Sequence, residues 1–261
     1  MKIKLSTILV ALLSFFLFTS FSVNYSTLPI KSGDRVYFEL PETHQGDEIV
    51  KHLAYTLRYQ EDCEQADWVT YMFTKKMTIK KFPRTNSFKV DPDVQTGSAD
   101  PSDYTHSGYD KGHLVPCDDM RWSKVAESES FYMSNMSPQT HSFNAGVWKR
   151  LEGLIRKYAK TYDTIYVATG PILQDGLKTI GKNKVSVPEY FYKVVLVYKE
   201  NDKRCIGFIL PHKKSQKDLM AFAVPVDSVE NRTGIDFFAS VPDKIEKQIE
   251  SNVDTEQWIF K

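Results

Sequence analysis

The chain has 261 residues, of which 41% are hydrophobic and 13% aromatic, and this is ample to bury the core of one large globular domain. Such a composition excludes an intrinsically disordered chain and a repeat array. The 34 basic and 33 acidic side chains give a formal charge of +1, which excludes attraction of the whole protein to polyanions. Any binding of nucleic acid must therefore come from local basic clusters.

Residues 1–22 have the pattern of a secretory signal peptide. A basic start, "MKIK", precedes the apolar run "LSTILVALLSFFLFTSF", and Ser20 and Ser22 supply the small residues that a signal peptidase recognises. Cleavage near Ser22 would remove Lys2 and Lys4 and change the formal charge to −1. We expect an exported protein, periplasmic or extracellular. An uncleaved membrane anchor is the alternative, although the run is short for a span of roughly 20 residues.

The rest of the chain predicts one domain at 50–250, preceded by an N-terminal extension (23–49) and followed by a C-terminal tail (251–261). "DWVTYMF" (67–73) is aromatic and β-branched and predicts a strand. Residues 91–108 are dense in Asp, Ser, Gly and Pro and predict a long surface loop, which is uncommon unless it serves a site. "ESFYMSNMSP" (129–138) is a short apolar stretch that leads into another polar turn.

The second half alternates helix and strand patterns. Apolar residues recur at helical spacing through "SFNAGVWKRLEGLIRKYAKTY" (142–162), which predicts an amphipathic helix. Three runs typical of strands follow, and "SVPDKIEKQIES" (240–251) predicts a further helix; the runs are "YDTIYVATGPI", "EYFYKVVLVYK" and "CIGFIL". We therefore expect an α+β fold with one core.

The three cysteines, Cys63, Cys117 and Cys205, are far apart in the sequence and have no C-x-x-C spacing. This argues against a structural zinc site. In an exported chain two of them could form a disulfide, and three unpaired cysteines are the alternative.

Two short stretches carry residues suited to chemistry. On the predicted helix, Asn144, Trp148 and Glu152 stand at i, i+4 and i+8, so they should share one stripe. An amide oxygen and a carboxylate in that arrangement can hold a hard divalent cation, the Asn directly and the Glu through water. The alternative is an ordinary amphipathic helix with Asn at its N-cap and Glu on its surface.

In "YDKGHLVP" (109–116), Asp110, Lys111, Gly112 and His113 are consecutive. The carboxylate can orient an imidazole, the glycine permits close approach of a ligand, and the lysine adds charge beside an anion. A lone histidine beside an apolar run is more often a packed or surface residue. A base, a cation site and a positive charge together nevertheless suit hydrolysis of a phosphodiester.

These stretches resemble the DNA/RNA non-specific endonucleases of the ββα-metal (His-Me finger) class. The family pattern is D-R-G-H, then N-x-x-P-Q, then N-x-x-x-W-x-x-L-E on the metal-binding helix. The resemblance covers roughly residues 50–245 and extends to "ADWVTYMFT", which precedes the position of the family's upstream arginine. The matching positions are Asp110, Gly112, His113, Asn135, Pro138, Gln139, Asn144, Trp148, Leu151, Glu152 and, for the upstream arginine, Arg84.

The resemblance implies a central antiparallel or mixed sheet with the metal-binding helix packed on it. It also implies a catalytic group of His113, as general base, with Arg84, Lys111, Asn135 and Glu152. Asn144 would be the direct ligand of Mg²⁺, and Glu152 would act through water; Mn²⁺ suits the same ligands. Asp110, Gly112, Gln139 and Trp148 would support the site, Trp148 through helix packing. The family arginine after the first Asp is Lys111 here, which keeps the charge but loses the bidentate fork.

The function implied is that of an exported, sugar-non-specific endonuclease. It would hydrolyse phosphodiester bonds of DNA and RNA in a magnesium-dependent reaction and would recognise the phosphate backbone. Two alternatives are a catalytically weak nuclease fold that binds nucleic acid and an exported hydrolase of small phosphodiesters. The first should have lost His113, Asn144 or Glu152, and the chain has all three.

Overall fold

A seven-stranded sheet, antiparallel throughout, forms the centre of the molecule. The computed structural model describes residues 36–260, which belong to one compact unit. Long strands rich in Val, Ile and aromatic residues occupy the middle of the sheet, as their β propensity favours. In spatial order the strands are β1 (Glu48–Lys51), β2 (Thr56–Gln60), β3 (Gln65–Thr74), β6 (Thr164–Pro171), β9 (Tyr190–Lys199), β10 (Asp202–Pro211) and β11 (Ala223–Val224).

Both faces of this sheet are covered. Along β9, Val195 and Val197 belong to one apolar cluster and Val194 and Leu196 to another, because successive side chains in a strand point to opposite faces. The first cluster contains the buried side of a long helix, and the second contains residues of two short helices near the C-terminus. The long helix is α4 (Lys149–Tyr162), and the two short ones are α5 (Val226–Thr233) and α6 (Asp243–Glu250), so we call these the helix α4 face and the helix α5–α6 face.

The helix α4 face carries a hairpin followed by a helix. Strands β4 (Asp110–His113) and β5 (Met136–Gln139) pair antiparallel, and the chain then enters α3 (His141–Phe143). A π-helical turn (Asn144–Trp148) joins α3 to α4 (Lys149–Tyr162), which buries Leu151, Ile155 and Tyr158 against the sheet. This strand–strand–helix unit brings the sequence motifs together.

The remaining elements are short. The α-helices are α1 (Cys117–Met120), α2 (Lys124–Glu129), α5 (Val226–Thr233) and α6 (Asp243–Glu250), and a small hairpin consists of β7 (Thr179–Ile180) and β8 (Val185–Ser186). Turns of 3₁₀-helix occur at Glu61–Cys63, Lys75–Thr78, Pro101–Tyr104, Met133–Asn135, Leu219–Phe222 and Thr255–Gln257.

The predicted strands and helices are confirmed where the hydrophobic pattern was long. The strand at 67–73 is β3, the three later runs are β6, β9 and β10, and the helix at 142–162 is present with an interruption. The segment 91–108 is irregular apart from one 3₁₀ turn, yet it does not lie wholly on the surface, because Asp91, Asp103 and Tyr104 are buried.

The signal peptide predicted at 1–22 lies outside the described residues, as do residues 23–35 of the extension. Near the other end, Trp258 is buried and its ring centroid lies 4.9 Å from that of Tyr158 on α4. All three cysteines are free thiols. Within residues 36–260, no helix is both long enough and apolar enough to cross a membrane.

Candidate active site

The β4–β5 hairpin places His113 at the floor of the site. In its register Gly112 faces Ser137 and His113 faces Met136. A Cβ on residue 112 would lie 2.2 Å from Cδ of Gln139, which is fully buried, so only glycine permits this close approach. Gly112 and Gln139 therefore pack directly against each other across the β4–β5 pair.

Asn135 fixes the chain that leaves β4. Its Oδ1 accepts a hydrogen bond from the Val115 N–H at 2.9 Å, and its Nδ2 donates to the carbonyl oxygens of Val115 at 3.0 Å and Ser130 at 2.9 Å. The side chain is fully buried, and these backbone groups use both ends of its amide. These contacts position the backbone next to His113, and a direct catalytic part for Asn135 stays a prediction.

The π-helical turn changes the predicted stripe of Asn144, Trp148 and Glu152. Gly146 has φ −102° and ψ −111°, so the helix is kinked between Asn144 and Trp148. Trp148 follows this kink and is fully buried, whereas Asn144 and Glu152 line one cleft. Its Nε1 donates to the backbone carbonyl of His113 at 3.1 Å. Asn144 and Glu152 remain together, and Trp148 ties the helix to the hairpin.

Five of the residues singled out in the sequence line one cleft of ≈ 330 Å³: Arg84, Lys111, His113, Asn144 and Glu152. Side chains from β4, α1, the π-turn and α4 contribute, together with Arg84 from the loop after β3. The full lining is Arg84, Lys111, His113, Pro116, Cys117, Asp118, Asn144, Ala145, Lys149, Glu152 and Arg156. The long-range pairing of the hairpin therefore assembles a histidine, an amide, a carboxylate and several cations around one space.

Asp110 orients the amide of Asn144. The Asp110 Oδ2 atom accepts a hydrogen bond from Asn144 Nδ2 at 2.9 Å and lies 2.9 Å from His141 Nδ1. With its nitrogen committed to a carboxylate, the Asn144 amide offers its oxygen as the ligand atom. Amide and carboxylate oxygens are the ligands that hard divalent cations prefer, so Asn144 and Glu152 fit a largely hydrated magnesium ion.

His113 is 7% exposed, and its ring is surrounded by aromatic groups. The centroid of its ring lies 5.1 Å from that of Phe131 in an edge-on arrangement and 5.7 Å from that of Phe88. Burial, followed by the charge of Arg84, lowers the pKa of His113 to about 3. The imidazole is therefore neutral at pH 7, and its Nε2 has no hydrogen-bond partner among residues 36–260.

Two cations stand at the mouth of the cleft, each over aromatic rings. The exposed Arg84 donates from Nε to Asn86 Oδ1 at 2.6 Å, and its Cζ lies 5.2 Å from the ring centroid of Phe131. Lys111 Nζ lies 5.3 Å from the ring centroid of Phe88. Cation–π contacts of this kind hold the side chains in place without neutralising their charge.

Buried charged side chains interact electrostatically with Glu152. Burial raises the pKa of Glu152 to about 7, against the opposing effect of Lys193 and Arg156. Lys193 is fully buried in β9, and burial lowers its pKa to about 8. Its Nζ donates to the Leu114 carbonyl at 3.0 Å and to Thr169 Oγ1 at 2.9 Å. Lys193 therefore connects the sheet to the chain next to His113.

A carboxylate completes this group of buried charges. Arg156 Nη1 donates to Asp119 Oδ1 at 2.8 Å, and Tyr71 OH donates to Asp119 Oδ2 at 3.0 Å. The motif analysis missed Lys193, Arg156 and Asp119. For Lys193 the signal was present, since a lysine interrupts the otherwise apolar "YFYKVVLV", and a charge inside a central strand must have partners.

The chain is similar to known proteins in sequence and in fold. The sequence profile of the family described as "DNA/RNA non-specific endonuclease" matches residues 31–244. Nuclease C1 of Cunninghamella echinulata var. echinulata is 35% identical over 208 residues, which cover 73% of this chain and 82% of that protein. Mitochondrial nuclease EXOG of Danio rerio is 33% identical over 221 residues; the match takes in 78% of this chain but only 64% of the length of EXOG.

Among solved structures, the EndoG/EndoGI complex contains a chain that superposes with a TM-score of 0.72 at 31% identity, covering 79% of this chain and 91% of that chain. The expected α+β fold of the ββα-metal type is confirmed by this match and by the hairpin and helix described above.

Proposed function

Because the chain belongs to the DNA/RNA non-specific endonuclease family, we propose that it is a metal-dependent endonuclease that hydrolyses phosphodiester bonds of DNA and RNA. The observation that carries the proposal is the single cleft in which His113, Asn144, Glu152 and two cations meet. A fold that merely binds nucleic acid needs the cations but has no use for a neutral, buried imidazole beside oxygen ligands.

His113 is the general base of the proposed reaction. A histidine whose pKa is well below 7 is unprotonated at neutral pH and can accept a proton from the attacking water. Positioned general bases contribute about 10²–10⁴-fold in rate. Trp148 binds the backbone carbonyl of His113, and Asn135 binds the backbone of Val115 two residues later, so the imidazole stays fixed during the proton transfer.

Asn144 and Glu152 would hold a divalent cation, the first directly and the second through water. When bound, this ion would stabilise negative charge on the phosphate and on the leaving 3′-oxygen. We propose Mg²⁺, because two protein oxygens and several waters suit its demand for octahedral hydration; Mn²⁺ accepts the same ligands. Asp110 keeps the Asn144 amide turned for this role.

Arg84 and Lys111 would contact the phosphate. Their positive groups can stabilise the additional charge that develops on the phosphoryl oxygens in the transition state. A backbone phosphate carries no base information, so we expect cleavage of DNA and RNA with little sequence preference. Binding should also weaken as salt rises, since each phosphate contact releases counterions.

The experiment is a plasmid-cleavage assay on purified residues 23–261 with Mg²⁺ and with chelator. His113→Ala tests the base, and His44→Ala is the matched control, because His44 is exposed and lies in a turn outside the cleft. Metal-dependent nicking that disappears only in His113→Ala supports the proposal. Nicking that survives in His113→Ala would contradict it.

The same assay separates the alternatives. A folded protein that binds plasmid DNA without cutting it would be a nucleic-acid-binding module. Cleavage of a dinucleotide but not of a plasmid would indicate a hydrolase of small phosphodiesters.

We propose further that the protein is exported to the periplasm or the extracellular space. The support is the basic start, apolar run and small residues of 1–22, which are typical of a cleaved signal peptide. Two of the relatives, EXOG and endonuclease G, are named as mitochondrial, so location needs a test of its own. N-terminal sequencing of protein from cell fractions should find a mature end near residue 23, and an intact Met1 in the membrane fraction would show an anchor instead.

A further inference from the structure

A second group of acidic residues lies on the helix α5–α6 face, across the sheet from the proposed catalytic cleft. Helices α5 and α6 pack on β10 through Val226, Val229, Ile245 and Ile249. Their polar sides bring together Asp227 and Glu230 from α5 and Glu250 from α6. We call these three residues the α5–α6 carboxylate cluster.

The cluster has the dimensions of a cation site. One carboxylate oxygen from each of the three residues lies within 4.8 Å of the other two. Glu230 Oε1 accepts a hydrogen bond from the Phe237 N–H at 2.8 Å, which fixes this carboxylate and leaves Oε2 for another partner. A divalent ion coordinated by oxygens at about 2.3–2.6 Å bridges oxygens at such separations.

Glu250 supplies an independent sign that a ligand is missing. Its side chain is 3% exposed, and its Oε1 is buried without a hydrogen-bond partner among residues 36–260. An unpaired polar atom in the interior is costly, and native structures rarely retain one without a function. On α6, Glu246 Oε1 is buried in the same unpaired state one helical turn before Glu250.

From this geometry we propose that Asp227, Glu230 and Glu250 bind one divalent cation of the calcium type, separate from the catalytic ion. Oxygen is the only donor type, and Ca²⁺ accepts six to eight oxygens in flexible geometry, with water completing the shell. The ion would join α5 to α6 and thereby stabilise the packing of both helices on β10. The alternative, a shared proton in place of the ion, is a possible outcome of the experiment below.

The test measures calcium binding directly, in protein whose catalytic site has been disabled. Equilibrium dialysis of the full chain carrying Asn144→Ala against CaCl₂ should give one bound ion per chain, because the substitution removes the direct ligand of the other proposed site. The melting temperature of this protein should rise by roughly 5 °C at a calcium concentration about 100 times the dissociation constant.

Added to this background, Glu250→Gln should abolish the bound ion and the calcium-dependent shift. Asp227→Asn provides a second, less buried variant should Glu250→Gln fail to fold. Asp62→Asn is the matched control, because it removes the same charge from an exposed turn between β2 and β3. Calcium binding retained by Asp62→Asn and lost by both cluster variants supports the proposal.

Two results would overturn it. The first is a folded Asn144→Ala protein that binds no calcium, which would mean that the carboxylates share protons. The second is one bound calcium ion that persists in both Asp227→Asn and Glu250→Gln. Nuclease activity is not the readout, so the result stands whether or not the proposed function is correct.

Discussion

Replacing Trp148 with phenylalanine tests whether the helix holds the catalytic histidine in place. Trp148 is fully buried, and its Nε1 donates a 3.1 Å hydrogen bond to the backbone carbonyl of His113. Phenylalanine keeps an aromatic ring in the core but deletes this donor. The carbonyl of His113 then loses a partner in a region that water does not reach.

The magnitude follows from this hydrogen bond and from a matched control. Trp68 is also fully buried, but its Nε1 has no hydrogen-bond partner among residues 36–260. Trp68→Phe and Trp148→Phe therefore lose similar ring volume, and only the second loses a hydrogen bond. Leaving a buried carbonyl unpaired costs about 1–3 kcal/mol, so Trp148→Phe should be less stable than Trp68→Phe by about that amount.

Thermal unfolding and steady-state nuclease kinetics are the assays. The stability difference should appear as a melting temperature roughly 2–8 °C lower for Trp148→Phe than for Trp68→Phe. Because the His113 backbone is released, kcat should fall roughly 10-fold or more in Trp148→Phe and stay near wild type in Trp68→Phe. Equal melting temperatures and equal kcat in the two variants would refute the argument that this hydrogen bond positions His113.

Three further predictions follow from other contacts. Gly112→Ala places a methyl carbon 2.2 Å from a buried side chain, so it should lower the free energy of unfolding, measured by urea denaturation, by about 1–3 kcal/mol. Gly153→Ala lies at an open position on α4 and should raise that free energy by roughly 0.5–1 kcal/mol. Equal effects of the two substitutions would contradict this prediction. Lys111→Arg restores a bidentate fork, so KM for DNA should fall while kcat changes little, and a raised KM would count against phosphate contact. Burial raises the pKa of Asp91, but the hydrogen bonds from His52, Ser134 and the Asp93 N–H, together with the charge of His52, outweigh it and leave the pKa below its usual value. A carboxylate with a lowered pKa gives stability that is present at neutral pH and lost as pH falls. Asp91→Asn should therefore be less stable than wild type at about pH 7, and it should lose less stability than wild type between about pH 5 and pH 3. Parallel curves of stability against pH for the two proteins would disprove this link.

Long hydrophobic patterns predicted the framework of the fold. The runs that became β3, β6, β9 and β10 and the helix at 142–162 were readable because burial on a sheet or a helix face imposes a period on the sequence. Five of the eleven residues that line the cleft were also identified, because the spacing within "DKGH" and from Asn144 to Glu152 matches a known motif. Chemistry that depends on short spacings can be read from the chain itself.

Other features were decided only by tertiary structure. The four-residue strands β4 and β5 are too short and too polar to show a period, and they pair across more than twenty residues. The kink at Gly146, between Asn144 and Trp148, leaves the i, i+4 spacing of the sequence unchanged. The contacts of the Asn135 side chain with the backbone of Val115 likewise join residues that are far apart in the chain.

Lys193 and the α5–α6 carboxylate cluster also combine a feature that the sequence shows with contacts that only the tertiary structure decides. The sequence indicates that a lysine interrupts an apolar strand, but its partners, Leu114 and Thr169, come from other strands and loops. Asp227, Glu230 and Glu250 are ordinary acidic residues of two separate helices until packing on β10 brings their oxygens within 4.8 Å. The sequence by itself determined which residue types were available and at what local spacing. Which of them meet, and which lose contact with water, depended on long-range pairing, because burial and Coulomb energies are set by distance in space and not by distance along the chain.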